Sequence, residues 1–223
     1  MRTAVFRYSH EAVISTAGKV LQGEVFIELE SPCLAVISGG SGSGKSTLLR
    51  AIAGLVETIN ASRILGNSSF PKGELPAWRS LVTLMMQDAP VIQGSIEENL
   101  SFPFRFKNRG RRKYDGRKAR ELLEMVGLGN LSLQADVLRL SGGERHRLGL
   151  VRGLLWDPPV LLADEALTGL EPELADRCFQ LLREYAQRAD RIVVAIFHER
   201  RFMQEADIRM EMRDGRLYRT HHH

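Results

Sequence analysis

The sequence predicts an α/β fold. Three observations carry this prediction: apolar strand-like runs alternate with helical periods, one such run leads directly into a glycine-rich loop, and another ends in two carboxylates. A chain of 223 residues is long enough to bury a sizeable core as one large domain.

The individual elements follow from their apolar periods and from the breaker residues between them. Strands are expected at residues 4–8, 25–29, 34–37, 63–66, 81–86, 160–163 and 192–197. Helices are expected directly after the glycine-rich loop and at residues 95–100, 117–126 and 141–156. Pro71, Gly73 and Pro76 predict a loop, and Asp157 with the two prolines that follow it ends the longest helix.

The glycine-rich loop has the sequence context of a phosphate-binding loop, since a strand precedes it and a helix follows. Glycines permit backbone torsions in which successive N–H groups point inward, and this nest lies at a helix N-terminus. Lys45 is expected to reach the β- and γ-phosphates of a nucleotide, and the Ser46 hydroxyl to bind Mg²⁺. The predicted phosphate site consists of Gly39, Gly40, Ser41, Gly42, Ser43, Gly44, Lys45, Ser46 and Thr47.

The strand at residues 160–163 ends in Asp164 and Glu165. Ligands bind at the carboxyl ends of parallel strands, so these side chains are candidates for the same site as the loop. We expect Asp164 to hold Mg²⁺, directly or through water, and Glu165 to polarise a water in line with the γ-phosphate.

Composition narrows the class of protein. The hydrophobic share of 43% and charged share of 26% are ordinary for a globular domain. No apolar run reaches the roughly 18 residues that span a bilayer, and the N-terminus lacks a signal-peptide pattern, so we expect a cytoplasmic protein. Cys33 and Cys178 are expected to be reduced and buried, and residues 221–223 to be a tag remnant.

The positive charge is concentrated in one segment. Between Arg105 and Arg120 lie nine basic residues opposed by Asp115 alone, so the segment carries +8. Since the whole chain carries +4, the remaining residues are net −4. Such a segment suits phosphate groups, anionic lipid headgroups or an acidic partner surface, and a solvated loop and helix face explains it equally well.

A second glycine string identifies a family. Leu140-Ser141-Gly142-Gly143-Glu144 resembles the signature of ATP-binding cassette (ABC) ATPases, with Glu144 where Gln is most common. Gln87 lies where that family carries its Q-loop glutamine, residues 166–171 resemble the D-loop, and His198 resembles the switch histidine. Together with the loop and the carboxylates, these motifs follow in the family's order over nearly the whole chain.

The resemblance implies a P-loop NTPase (RecA-like) core with an N-terminal antiparallel β-subdomain and an inserted α-helical subdomain. The expected single ABC domain covers residues 1–220, with a core of 1–88 and 157–220 and a helical subdomain of 89–156. In the family, two such domains close over two ATP molecules. The resemblance therefore implies that Ser141, Gly142 and Gly143 bind the γ-phosphate of an ATP held by the other subunit, which is a second copy of this chain or a second cassette protein.

The remaining roles are also implied by the resemblance. Gln87 would sense Mg²⁺ and the attacking water, and His198 would contact the γ-phosphate and orient Glu165. The cofactors are then ATP and Mg²⁺, and the reaction is ATP hydrolysis. ABC domains place an aromatic ring ahead of the loop to stack on adenine; Phe6, Tyr8 and His10 are the candidates here, although they lie far from Gly39 in sequence. Glu171 stands where the D-loop usually has Asp.

Transport is the leading function, with the chain as an ATPase subunit docked on a separate membrane permease at the inner face of the cell membrane. Residues 91–100 resemble a pattern of exporters, and residues 91–109 are similar to ATP-binding subunits assigned to bacterial iron or metal export. The alternative is a soluble ABC ATPase acting on nucleic acid or ribosomes. We expect no nucleic acid partner, because the excess of basic residues is confined to this one segment. The phosphate loop alone would also fit a small-molecule kinase, but such an enzyme does not require the signature at residues 140–144.

Overall fold

The computed structural model describes residues 4–14, 18, 20–86 and 89–220. The strands β1 to β13, in chain order, are Val5–His10, Ala12–Ile14, Val20–Gln22, Val25–Glu30, Cys33–Ser38, Glu57–Ile59, Ser62–Leu65, Ser68–Ser69, Val82–Met85, Val160–Ala163, Ile192–Ile196, Ile208–Arg213 and Arg216–Thr220. The helices α1 to α7 are Lys45–Ile52, Leu75–Leu81, Ile96–Ser101, Gly116–Met125, Gly142–Trp156, Pro172–Ala186 and Arg200–Gln204.

A six-stranded sheet forms the centre of the molecule, in the order β13-β12-β5-β11-β10-β9. Five of its strands are parallel, and β13 pairs antiparallel with β12 at one edge. β5, β10 and β11 are almost wholly buried, which explains why each reads as a continuous apolar run rather than as an alternating one. Their carboxyl ends meet at one edge of the sheet, as ligand binding requires.

Successive residues of these central strands face two separate apolar layers, because strand side chains alternate between the two faces of a sheet. Leu161 and Val193 join one layer, which contains α3, α4, α5 and α6. Leu162 and Val194 join the other layer, with α1, Trp78 and the antiparallel strands. The central sheet is therefore covered on both sides, and the architecture fits a P-loop NTPase.

The N-terminal strands form two small antiparallel sheets, β4-β1-β7-β8 and β3-β2-β6. On β1 the side chains of Phe6, Tyr8 and His10 all face inward, while Arg7 between them is exposed. This alternation places Phe6 and Tyr8 in the apolar layer that contains α1, and His10 is buried against the ring of Tyr8.

The region between β9 and β10 is largely helical, and its longest helix begins and ends with identifiable caps. Ser141 and Glu144 form a reciprocal capping box at the start of α5. Asp157 follows the last turn in the left-handed conformation, at φ 55°. The helix predicted at residues 141–156 is therefore observed within a residue of its expected bounds. None of the described helices is long and apolar enough to cross a membrane.

The structure departs from the expected elements in several places. Residues 75–81 were expected to lie in a loop and at the start of a strand, yet they form α2, with Pro76 in its first turn. Proline is tolerated there because the first helical N–H groups have no intrahelical partner. The sequence interpretation also omitted α6 and the hairpin of β12 and β13, which complete the sheet and its cover.

Candidate functional site

The glycine loop connects the end of β5 to the start of α1 at the carboxyl edge of the central sheet. Gly39 has φ 142°, and a Cβ there would lie 2.4 Å from the carbonyl oxygen of Met212 on β12. Gly44, with φ 100°, is the left-handed N-cap of α1. Both positions therefore require glycine, for conformation in each case and for close backbone approach at Gly39.

Lys45 is folded back over this loop. Its Nζ donates hydrogen bonds of 2.9 Å to the carbonyl oxygens of Gly39 and Gly40, and the residue is only 6% exposed. An ammonium group has three donors, so two hold the loop and a third is left for an anion in the nest. The N-terminus of α1 adds its favourable dipole at the same place.

Ser46 and Asp164 lie in contact although they are distant in sequence. The Ser46 hydroxyl donates a 2.8 Å hydrogen bond to Oδ1 of Asp164, which is 4% exposed. Burial raises the pKa of the Asp164 carboxyl, and the hydrogen bond from Ser46 opposes this rise. The structure thus brings together Ser46 and Asp164, two of the three oxygen ligands that the sequence predicts for Mg²⁺; the third, Gln87, lies outside the described residues.

This donor set fits Mg²⁺ as nucleotide sites hold it. The described residues contain no cluster of three His, Cys, Asp or Glu side chains that would form an all-protein metal cage. Mg²⁺ usually keeps several waters and is held by one or two protein oxygens together with substrate phosphates. A hydroxyl and one carboxylate beside a phosphate nest match that requirement.

Glu165 and His198 form the next pair along this edge. Nε2 of His198 lies 3.0 Å from Oε1 of Glu165, with side chains that are 50% and 22% exposed. Glu165 adopts φ 54°, which is uncommon for a residue with a long side chain. Such backbone strain occurs preferentially at functional sites. The contact joins the end of β10 to the end of β11, as the roles predicted for both residues require.

The signature residues occupy a different position. Ser141, Gly142 and Gly143 are exposed at the N-terminus of α5, which packs against α3, α4 and β9. The Ser141 hydroxyl accepts a 3.2 Å hydrogen bond from the N–H of Glu144, whose carboxylate accepts one of 2.7 Å from the N–H of Ser141. The capping box therefore uses the side chains of Ser141 and Glu144 to fix the start of the helix, and leaves the two glycines facing solvent.

Two further assignments were made from the sequence, namely Gln87 and the candidates for adenine stacking. Gln87 lies outside the described residues. The three candidates for adenine stacking were wrong: Phe6, Tyr8 and His10 are at most 1% exposed. Phe6 packs on Trp78 at a centroid distance of 5.9 Å, and the Tyr8 hydroxyl lies 3.0 Å from Nδ1 of His10. Their alternation along β1 assigns all three to the core, where no base can stack on them.

Sequence reasoning missed two neighbours of the loop. The backbone carbonyl oxygen of Met212 lies close to Gly39, and the side-chain amide of Gln22 donates a 3.5 Å hydrogen bond to the carbonyl oxygen of Gly44. Met212 reaches the loop because β12 pairs with the distant β5, and Gln22 reaches it from β3, so no local pattern around the loop reveals either contact.

A cleft of about 660 Å³ opens beside β9, between α2, α5 and the segment at residues 103–108. Its lining is mostly apolar and carries basic side chains from α2, α5 and that segment, since it includes Met85, Met86, Phe106, Trp156, Arg79 and Arg152. Residues 86 and 89, which flank the undescribed Gln87 and Asp88, both line the cleft.

Comparison with known proteins assigns the family. The model of the ABC transporter family matches residues 24–168, which is more than half of the chain. The chain belongs to the ATP-binding subunits of the ABC transporter family. This ABC subunit is 35% identical over 208 residues to the Fe(3+) ions import ATP-binding protein of Streptomyces coelicolor, a match that covers 92% of this chain and 59% of that relative.

Other relatives agree on the family and differ in cargo. The ABC subunit is 36% identical to a methionine import ATP-binding protein of Paraburkholderia xenovorans, over 87% of this chain and 48% of the relative. It is 35% identical to a phosphonates import ATP-binding protein of a Ruegeria species, over 90% of this chain and 82% of the relative. The chain thus spans about half the length of several curated relatives and most of the last.

A solved structure supports the fold. A bacterial Atm1-family ABC exporter with ATP bound superposes with a TM-score of 0.78 at 21% identity, over 97% of this chain and 38% of the exporter chain. At this level of identity the match establishes the shared fold alone.

Proposed function

We propose that this subunit binds ATP with Mg²⁺ and hydrolyses it to drive an ABC transporter. The observation that carries the proposal is the convergence of four side chains at the carboxyl edge of the sheet. Ser46 contacts Asp164, and Glu165 contacts His198, from three strand ends that are far apart in sequence. This is the arrangement that P-loop phosphoryl transfer needs.

The loop provides the phosphate site of the proposed reaction. Backbone N–H groups of residues 39–47 and the third donor of Lys45 bind phosphate oxygens, while the dipole of α1 favours their negative charge. Ser46 and Asp164 would hold the magnesium ion. When bound, Mg²⁺ supplies positive charge that stabilises the phosphate oxygens in the transition state.

Glu165 orients the attacking water and accepts its proton, because its carboxylate ends the strand next to the phosphate site. His198 holds the Glu165 carboxylate from the neighbouring strand at 3.0 Å and presents its ring to the γ-phosphate. Gln87 is proposed to link this chemistry to the cleft. Its support is that Met86 and Ala89 on either side both line that cleft.

The functional unit we propose is a head-to-tail dimer over two ATP molecules. Its support is the exposure of Ser141, Gly142 and Gly143 at a helix N-terminus, where a phosphate from a second copy would meet the N–H groups of the two glycines and the Ser141 hydroxyl. We also propose that residues 89–156 move as a helical subdomain against the core of residues 1–88 and 157–220. ATP binding then closes the dimer and hydrolysis opens it, through different affinities for the nucleotide states.

The cleft beside β9 is the proposed docking place of the permease, at the inner face of the cell membrane. Its volume and largely apolar lining suit one short amphipathic segment. The direction of transport is a separate question. Asn99 is fully buried, and its side chain forms hydrogen bonds of 2.9 Å with both backbone groups of Ile92, which hold the loop before α3. The exporter-like pattern at residues 91–100 therefore has a structural cause that is independent of the direction of transport.

The experiment is the Glu165→Gln variant. We expect it to bind ATP, to form a stable ATP-dependent dimer in size-exclusion chromatography, and to lose turnover by about a thousandfold or more. Glu173→Gln, at an exposed position on α6, is the matched control and should keep full activity. Normal hydrolysis by Glu165→Gln would falsify the assignment of the base. Co-purification of a membrane permease tests the transport role against the soluble alternative.

A further inference from the structure

The basic segment at residues 105–120 is fixed to the body of the protein rather than loose. Arg112 lies over the Trp156 ring at 4.6 Å from its centroid, and Phe104 packs edge-on against the same ring at 5.5 Å. Asn108 donates a 2.9 Å hydrogen bond to the carbonyl oxygen of Pro76 on α2. One arginine, one aromatic ring and one amide thus hold the segment in place.

The other cations of the segment are left outside this anchoring. Seven of its nine basic residues are exposed. Arg117 is the one member that forms an ion pair with a carboxylate of the described residues, through Glu121 at 3.1 Å. Asp115, the single acid, accepts hydrogen bonds from the N–H groups of residues 117 and 118 as the cap of α4. The segment therefore concentrates positive charge, with Asp115 as its single internal acid.

An exposed aromatic side chain lies within this charge. Phe106 is 54% exposed and contacts Phe102 edge-on at a centroid distance of 5.1 Å. Basic residues around an exposed aromatic ring are typical of surfaces that bind lipid headgroups, where the ring enters the interface and the cations meet phosphates. Single-stranded nucleic acid is bound instead by several free rings along a basic groove, and the ring of Tyr114 is turned against Phe104.

The position of the segment also favours binding to lipid headgroups. Phe106, Lys107 and Asn108 line the cleft beside β9, so the segment and the cleft form one continuous surface. The residues outside the segment sum to a negative charge, because the whole chain carries only +4. An anionic bilayer therefore attracts this face and repels the remainder of the molecule.

We propose that the basic segment binds anionic phospholipid headgroups and so turns the cleft toward the membrane. The role of this binding in orienting the cleft rests on the proposed function, in which the cleft receives a permease. Headgroup binding itself requires neither permease nor nucleotide. A charged surface of this kind raises the concentration of the subunit at the bilayer and orients it before docking.

The test is co-sedimentation of the full chain with vesicles, without nucleotide. Vesicles of equal parts phosphatidylcholine and phosphatidylglycerol should bind the protein, pure phosphatidylcholine should not, and raising salt from about 50 mM to about 300 mM should release it. Arg111→Gln with Lys113→Gln should weaken partitioning by roughly tenfold or more. Arg216→Gln with Arg219→Gln removes the same charge from exposed positions on β13 and should change it less than about twofold.

The outcomes separate this proposal from its rivals. Equal loss in the two double variants would show that net charge alone matters, and equal binding to both kinds of vesicle would remove the headgroup role. Tighter binding of a labelled single-stranded RNA than of anionic vesicles, lost in the Arg111 and Lys113 variant, would assign the surface to nucleic acid. ATP hydrolysis in lipid-free solution is measured in parallel: its absence in the unaltered protein overturns the proposed function and leaves the vesicle result standing.

Discussion

The edge of the sheet and the start of α5 both carry glycine-rich motifs for which we propose phosphate binding, yet their structural surroundings differ. At the sheet edge, the loop, Asp164, Glu165 and His198 are assembled inside one chain, with Asp164 almost fully buried. At the start of α5, the Ser141 side chain bonds within its own capping box and the two glycines are exposed. The proposed catalytic side chains are thus held together by contacts within one chain, whereas the proposed signature residues remain exposed at a helix start.

The strongest test of this difference between the two motifs is to mix two inactive variants. Lys45→Ala disables the phosphate loop and Ser141→Arg blocks the signature, so each alone should lose nearly all ATPase activity. If ATP is bound between two copies, a mixed dimer contains one site with an intact loop and an intact signature. We expect activity to return on mixing, measured as phosphate release. Continued inactivity of the mixture would place both motifs in one molecule.

A second prediction separates the cap from the ligand role at the start of α5. Ser141→Ala and Glu144→Ala each remove half of the capping box, so each should cost about 1 kcal/mol of stability in urea unfolding. Only Ser141 is proposed to meet a phosphate, and its loss should lower kcat about a hundredfold. The activity of Glu144→Ala should stay within a few fold of the parent. Equal losses of activity would reduce Ser141 to a structural cap.

Asp164→Asn tests the buried site at the edge of the sheet. Burial raises the folded pKa of Asp164 above its ordinary 3.8, so the folded state holds that proton more tightly than the unfolded state. The stabilisation this gives is therefore present at low pH and is lost as pH rises above 3.8 through the folded pKa. At neutral pH the amide avoids the buried charge, and we expect the ligand-free melting temperature to rise by about 2–4 °C. The further stabilisation by Mg-ATP should fall sharply; an unchanged Mg²⁺ dependence would contradict the metal role.

The smallest effect on function is expected at the opposite end of α5. Burial by itself raises the pKa of Asp157, but hydrogen bonds from Arg191 and Arg188 outweigh it and lower the pKa to about 2. Asp157→Asn keeps the left-handed cap, which asparagine tolerates, and loses the charge. We expect a loss of about 1–2 kcal/mol at neutral pH in urea unfolding. Because a lowered carboxyl pKa stabilises above its ordinary value, the difference should shrink as pH falls from 3.8 towards 2; a difference independent of pH would exclude the ion pair as its cause.

Much of the candidate site was predictable because its signals are local. The loop is a contiguous string between a buried strand and a helix, and Asp164 and Glu165 directly follow an apolar run. The adenine candidates failed for a reason that lies in the sheet. Phe6, Tyr8 and His10 share one face of β1, and only the packing of that face in the apolar layer with Trp78 shows that it is buried. The helix at Pro76 was missed because proline was interpreted as a loop residue rather than as a first-turn residue.

The sequence by itself determined the chemical groups, their order and the family to which the chain belongs, because glycine conformation, capping and buried strands are properties of short segments. Tertiary structure decided which of those groups meet. It placed Met212 against Gly39, joined Ser46 to Asp164 and Glu165 to His198, and left the signature facing solvent. These relations depend on parallel strand pairing between distant segments and on the two apolar layers that cover the sheet, and no local pattern encodes either.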